Sequence, residues 1–287
     1  MDWKLKAKVF RGLAAIPFGD RIHYRLQRHL TKELPRKPQA LDEILTAAQK
    51  LIDLLRQHSK VKLHQAHFLE VGAGWDLAMA IALRLLGVER ITCIDISKLA
   101  KPSMIQHAAK HIANRLGKSV PALTSWESIK EFGITYRAPM LLQNAAIPSS
   151  SIDVFFSVDT LEHIPRAALL DVLLEGRRII KPEGTSIHLI DYSDHYARGS
   201  TISRFNFLTY TEKAWIPFNS KFHYVNRMRH SEYLEKFDES GFIVIHTEPD
   251  IEQPQPKILD SLAPQFEKFN VNDLFTIRAK IIASPRL

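Results

Sequence analysis

The chain has 287 residues, 45% of them hydrophobic and 24% charged, with a formal net charge of +8. That composition is ordinary for a globular protein, and the length is enough for a full hydrophobic core. The charge is uneven: residues 1–38 hold ten basic side chains (Lys4, Lys6, Lys8, Arg11, Arg21, Arg25, Arg28, Lys32, Arg36, Lys37) against Asp2, Asp20 and Glu33, a net of +7, which leaves 29 basic and 28 acidic residues in the rest. A protein that coats nucleic acid fits this poorly, because its charge would cover the body as well. The one cysteine, Cys93, rules out a disulfide framework or a Cys-based zinc site within one chain, and no metal ligand set is read from the sequence. No apolar run reaches the roughly 18 residues of a membrane span; residues 77–86 come nearest and are broken by Arg84. The N-terminus lacks the continuous apolar stretch of a secretory signal, so the cytoplasm is the expected compartment.

The arm, residues 1–38, opens with an amphipathic pattern: Trp3, Leu5, Val9, Phe10, Leu13 and Ile16 fall roughly on one helical face. It reads as a helical lid on the main domain, as a basic helix at the inner face of a membrane, or as a polyanion-binding arm. From residue 40 the pattern becomes regular. Residues 40–58 have helical periodicity, 67–71 read as a buried strand, 77–86 as an apolar helix and 90–96 as a second strand. A helix over 102–116, a strand over 151–158, a helix over 166–180 stopped by Lys181-Pro-Glu-Gly184, and a strand over 185–191 follow. Strands alternating with helices at this spacing predict a three-layer αβα sandwich with a mostly parallel sheet. Residues 241–246 and 274–282 read as a closing antiparallel pair, and the aromatic stretch from 192 to about 240 as a cap inserted over the open end of the sheet.

The most informative segment is His67-Phe-Leu-Glu-Val-Gly-Ala-Gly-Trp75, a strand that ends in Glu70 and turns through Gly72 and Gly74 into a helix. Glycines there let the backbone turn tightly and approach a ligand. Asp95, 21 positions after Gly74 at the end of the next strand, stands where a carboxylate accepts hydrogen bonds from ribose hydroxyls. The loop continues with Asp76, where a diphosphate-binding loop needs a small neutral residue. An acidic two-glycine loop suits a cationic nucleoside cofactor, and S-adenosylmethionine is one. Read plainly, Glu70 is a capping carboxylate and Asp95 a helix N-terminal residue.

Further segments follow in order: Ala146-Ile-Pro148, Ser151-Ile-Asp-Val-Phe-Phe-Ser157, Leu161-Glu-His-Ile-Pro165, and Glu175 through Arg178 to Gly184. From about Phe68 to Asp191 this series resembles the class I S-adenosylmethionine-dependent methyltransferases of the small-molecule type. The resemblance implies a Rossmann-like methyltransferase domain over residues 39–287, with Glu70, Gly72 and Gly74 at the methionine end of the cofactor and Asp95 at the ribose. It further implies Ile96 beside the adenine, and Ser157 and Asp159 at the methyl end. Asp76 and Glu183 depart from the family pattern, and no clear aspartate precedes Ile147 for the adenine amine, where Gln143 or Asn144 stands instead.

A hydroxyl acceptor is a weak nucleophile and needs a general base. Asp159, Asp191, Asp194 and His195 all follow strands at the edge where such folds bind ligands. His195 is the expected base, with Asp159 and Asp191 as further catalytic candidates and a solvated loop histidine as the plain alternative. His163 reads either as a structural hydrogen-bonding residue or as part of the active site. Tyr210, Arg227 and Arg229 lie in an aromatic and basic run that suits a sugar or phosphorylated acceptor, or ordinary cap packing. That run is similar to methyltransferases of surface-polysaccharide and sugar biosynthesis. The expected reaction is therefore methyl transfer to oxygen of a small-molecule or glycan acceptor. Rival readings are a nucleic-acid methyltransferase, a nicotinamide-dependent oxidoreductase on a similar fold, and a methyltransferase-like scaffold without turnover. The first is disfavoured, because Ser157-Val-Asp-Thr160 is not the Pro-Pro-aromatic loop of base-amine methylation and Cys93 lies inside a strand.

Overall fold

In the computed structural model the described residues are 2–30 and 33–286. Lys32, counted above in the arm, lies outside them, as does the side chain of Arg21. The arm forms α1 (Trp3–Ala15) and α2 (Gly19–Arg25), and a π-helical turn continues α2 over Leu26–Leu30. Asp2 caps α1 by accepting from the Leu5 N–H at 3.0 Å. The sandwich then runs α3 (Pro38–His58), β1 (His67–Val71), α4 (Ala78–Leu85), β2 (Arg90–Ile94), α5 (Pro102–Arg115), α6 (Trp126–Glu131), β3 (Ile134–Arg137), β4 (Ile152–Val158), α7 (Arg166–Ile179) and β5 (Ile180–Asp191). The short α8 (Glu212–Trp215) precedes α9 (His230–Glu239) and β6 (Phe242–Ile251). Two further short helices, α10 (Pro256–Leu259) and α11 (Val271–Leu274), lead into β7 (Thr276–Pro285).

The seven strands lie in the order β3-β2-β1-β4-β5-β7-β6. All neighbours are parallel except β7, which runs antiparallel to both β5 and β6. The order reverses between β1 and β4, which opens a crevice at their C-terminal ends, the place where open α/β sheets bind ligands.

Alternate strand residues face opposite layers, as a pleated strand requires. Phe68, Ile91, Cys93 and Phe156 pack under α3, α4 and α5. Leu69, Ile94 and Phe155 face the other way, under α7 and α9. Gly176 lets α7 come close: a Cβ there would stand 2.2 Å from the Phe155 ring.

The strand at 90–96 ends at Ile94, so that Asp95 and Ile96 project from the edge. Lys181-Pro-Glu-Gly184 does not stop α7 in a loop but lies inside β5, with an irregularity of register against Ile152 and Val154. The cap is not one insertion. α9 belongs to the sandwich, and the cap core joins Tyr196, Phe207 and Trp215 to Phe266 and Phe275 of the β6–β7 connection. Trp3 and Ala7 of α1 complete the same core. Among the described residues no helix is long and apolar enough to cross a membrane.

Candidate active site

The loop after β1 and the end of β2 meet as their spacing predicts. Gly72 has φ +84° and Gly74 φ +67°. A Cβ on Gly72 would stand 2.3 Å from the Thr160 side chain, so only glycine fits. The Gly72 N–H donates to Ile94 O at 2.9 Å, which binds the loop to β2. Asp95 accepts from the Gly74 N–H at 3.2 Å and from the Ser97 N–H at 2.8 Å. Burial pushes its carboxyl up, against the pull of these backbone donors. Glu70 is buried and accepts from the Cys93 thiol at 3.3 Å. Burial pushes it up to about 8; Cys93 opposes the shift, and the nearby Asp95 and Asp76 carboxyls add to it. Ile96, 71% exposed, stands as an open apolar surface beside Asp95.

The arm reaches this loop. Arg36 pairs with the buried Asp76, Nε to Oδ2, at 3.0 Å. Tyr24 stacks on Trp75 with centroids 5.7 Å apart, and Lys101 Nζ lies 3.3 Å from the centre of the Tyr24 ring. Glu70, Asp76 and Asp95 therefore bring three carboxyl groups to one turn, met from the arm by Arg36. The arm is thus not an appendage outside the fold but a cover over the loop.

At the same sheet edge, across the crevice, lies a cavity of about 670 Å³ whose lining includes Asp159, Asp191, Ser193, Arg198 and Arg278. Asp159 ends β4 with φ +46° and pairs with Arg278 at 3.2 Å. Asp191 Oδ1 accepts from the Ser193 N–H at 2.8 Å, and its Oδ2 lies 2.6 Å from Arg198, 3.4 Å from Arg278 and 3.6 Å from His195 Nε2. Although burial opposes its charge, His195, Ser193 and Arg198 hold the carboxyl well below the usual range. A carboxylate so committed orients a neighbour rather than taking a proton. Asp194 is buried and caps the turn His195–Ala197 through the Tyr196 N–H at 2.8 Å. The His195 ring lies 5.0 Å from that of His163, whose Nδ1 donates to Tyr224 O at 2.5 Å.

Four residues read from the sequence as site residues stand elsewhere. Ser157 points into the layer beneath the sheet, where its hydroxyl is 2.7 Å from His188 Nδ1, and is fully buried there. Arg229 is 0% exposed, and its guanidinium donates to the carbonyls of Tyr192, Asp273 and Thr276. Arg227 donates to Phe207 O and Tyr210 O and pairs with Glu212, while its guanidinium faces Trp215 and Phe266. Tyr210 packs between Trp3, Trp215 and Phe218. All three cap residues hold the cap together, because a buried guanidinium is stable only when its donors are satisfied. The arginines that do line the cavity, Arg198, Arg204 and Arg278, were not singled out by the sequence, and neither was Arg36 at the loop.

A family model described as a methyltransferase domain matches residues 69–188, from β1 into β5. This supports an S-adenosylmethionine-dependent methyltransferase. No curated protein matches the sequence. Among solved structures, a candidate methyltransferase from Bacillus halodurans C-125 is 13% identical, covering 82% of this chain and 98% of its own, with a TM-score of 0.49. The [4+2]-cyclase SpnF is 16% identical, covering 84% of this chain and 82% of its own, also with a TM-score of 0.49. An S-adenosylmethionine dependent methyltransferase from Mesorhizobium loti is 16% identical, covering 81% of this chain and 96% of its own, with a TM-score of 0.47. The loop residues fit such a cofactor on their own chemistry. Three carboxyls gather at one turn with one arm guanidinium paired to Asp76, Asp95 has backbone donors as partners, and Ile96 offers an exposed apolar face.

Proposed function

We propose that the protein transfers a methyl group from S-adenosylmethionine to an oxygen of a hydroxyl-rich small molecule or glycan. The observation that carries this reading is the pairing, at one sheet edge, of an acidic two-glycine loop with a charged cavity of about 670 Å³. Glu70 and Asp76 would face the cationic end of the cofactor, Asp95 its ribose and Ile96 its adenine. The cofactor supplies an electrophilic methyl and a sulfide leaving group. The chain aligns the acceptor, excludes water and removes a proton. His195 takes the acceptor proton, and Asp191, fixed by Arg198, Arg278 and the Ser193 N–H, orients the imidazole. Asp159 and Arg278 position the acceptor at the end of β4. A wall of paired charges favours a polar acceptor such as a sugar, in line with the resemblance of the cap run to enzymes of polysaccharide and sugar biosynthesis.

Calorimetry with S-adenosylmethionine and with NAD tests the cofactor, and a screen of sugar nucleotides, lipid-linked sugars and small metabolites, read as S-adenosylhomocysteine release, tests the acceptor. Binding of NAD alone would overturn the reading. His195→Ala should lower kcat by about 10²–10⁴-fold if it is the base.

The arm supports a second role. Leu5 and Val9 on α1, and Ile16 just after it, are exposed beside Lys4, Lys8 and Arg11. Such a face favours contact with an anionic membrane, at its cytoplasmic side, while Trp3 and Ala7 hold the helix on the cap. Sedimentation with anionic but not neutral vesicles is the expected result.

A further inference from the structure

Two loops that the strand order brings together carry a second cluster. The turn Leu161–His163 follows β4, and the turn His195–Ala197 follows β5. Glu162, His163 and His195 each bring one ligand atom within 4.8 Å of the others. Glu162 is 3% exposed, and neither of its carboxylate oxygens has a hydrogen-bond partner among the described residues. A buried carboxyl without a partner either keeps its proton or is met by a cation. The backbone around it is tied down, since the Asn226 N–H donates to Glu162 O at 2.8 Å and the Asn226 side-chain amide donates to Leu161 O and Ile164 O at 3.0 Å each. Nothing in that arrangement serves the carboxylate itself.

The imidazoles are set up as metal ligands usually are. His163 donates its Nδ1–H to Tyr224 O, which fixes the tautomer and leaves the Nε2 lone pair bare. His163 is also the exposed member of the set and so gives a path from solvent. A fourth group stands close: His223, with its ring 6.2 Å from that of His195, has a buried Nε2 with no partner.

We propose that Glu162, His163 and His195 bind a divalent first-row transition metal ion, with His223 as a further ligand. Two or three imidazoles and one carboxylate are a set for zinc, manganese or iron rather than for magnesium or calcium, which take oxygen ligands. Ligand atoms around a tetrahedral ion stand about 3.3 Å apart. The three ligand atoms here lie within 4.8 Å of one another. The site adjoins Asp191 and the acceptor cavity. An ion there would take the acceptor hydroxyl as a further ligand and lower its pKa, with the proton passing to solvent. That role rests on the methyltransferase reading and makes His195 a ligand in place of a base. The metal site itself stands without it.

The test uses the full chain with any tag removed, stripped by chelator, and titrated calorimetrically with Zn²⁺ and with Mn²⁺ in the absence of cofactor and acceptor. One equivalent of either ion should bind. Affinity should fall about tenfold or more in Glu162→Gln and in His163→Ala. It should be unchanged in His246→Ala, which removes an ordinary surface histidine beside Glu248. Circular dichroism confirms the fold of each variant. Glu162→Gln is nearly isosteric and removes a buried charge, so it should fold. No binding by the stripped protein, or equal binding by Glu162→Gln, would overturn the proposal. S-adenosylmethionine titrated into the stripped protein separates the two readings. A protein that binds an ion but fails to bind S-adenosylmethionine leaves the site standing and sinks the methyltransferase reading; one that binds S-adenosylmethionine but neither ion does the reverse.

Discussion

Gly72 offers the sharpest test of how the cofactor loop is built. Substituting it by alanine adds a Cβ at φ +84°, which costs an L-residue about 1–2 kcal/mol. The same Cβ would stand 2.3 Å from both Thr160 Oγ1 and Cγ2 and 2.9 Å from its Cβ. Thr160 cannot simply swing aside, because its hydroxyl donates to Val158 O at 3.0 Å. Overpacking of this kind costs about 1–3 kcal/mol more. Gly72→Ala should therefore lose roughly 2–5 kcal/mol by denaturant unfolding, with the denaturant slope unchanged. Thr160→Ala removes the two shortest contacts and leaves the backbone conformation as it is. The double variant should recover the overlap part and keep the φ part, a coupling of about 1 kcal/mol or more in a double-mutant cycle. Calorimetry should show cofactor affinity falling in Gly72→Ala and partly returning in the pair. Additive effects of the two substitutions would refute the claim that the loop is packed against the end of β4.

Three further outcomes follow from buried groups. Burial pulls His188 down to about 3, and its two ring nitrogens are held by the Ser157 and Ser186 hydroxyls. The native state then binds fewer protons than the unfolded state below the ordinary histidine pKa of about 6.5, so stability falls with pH from there to about pH 3. The contribution is about 1.4 kcal/mol per pH unit, and His188→Asn should flatten the acid limb by one proton in urea titrations at stepped pH. Glu70, pushed up to about 8, works in the opposite sense: the native state holds a proton that the unfolded state releases, and its stability falls as pH rises towards 8. A cationic cofactor favours the ionised form, so S-adenosylmethionine should release a proton on binding at pH 7 and bind more tightly as pH rises. Calorimetry in buffers of different ionisation enthalpy should lose that proton in Glu70→Gln. Trp3→Ala should free the arm, because that ring packs against Tyr196, Trp215 and Phe218. Rapid trypsin cleavage after Lys4, Lys6, Lys8 or Arg11 with the body resistant is expected, and unchanged protection would show that α1 is held by something else.

What the sequence disclosed depended on how local the signal was. His67–Val71 is a short, mostly apolar run that ends at Gly72, and its limits are legible directly. Its partner residues Gly72, Gly74 and Asp95 were legible because a strand-turn-helix unit keeps them within one stretch of chain. β3, at Ile134–Arg137, was missed, since four residues at the sheet edge, of which only Ile134 is buried, carry no periodicity. Lys181-Pro-Glu-Gly184 was taken for a stop because proline and glycine usually mark one, yet the strand runs through them with an irregular register. Arg227, Arg229 and Tyr210 show the limit of composition. An aromatic and basic run describes a ligand face and a cap core equally well, and only the direction of the guanidiniums decides. The adjacent Glu162 and His163 are far in the chain from His195, and they meet it only because β4 and β5 are neighbours in the sheet.

The uneven charge acquires a physical role in this arrangement. The acidic loop holds Glu70, Asp76 and Asp95 in a buried turn, where the two aspartate carboxyls add to the burial that pushes Glu70 up. Arg36 comes from the basic arm and sits on Asp76. Deleting the arm would therefore not leave the cofactor loop untouched. It would remove the guanidinium paired with Asp76, uncover Trp75 beneath Tyr24, and open the cap core beneath Trp3. A cationic cofactor entering the loop competes with Arg36 for the same carboxyl, so cofactor binding and arm docking are coupled, and each must alter the other by the same free energy. The arm, for which the sequence offers a lid on the main domain as one reading, thus packs on the loop and on the cap core at once.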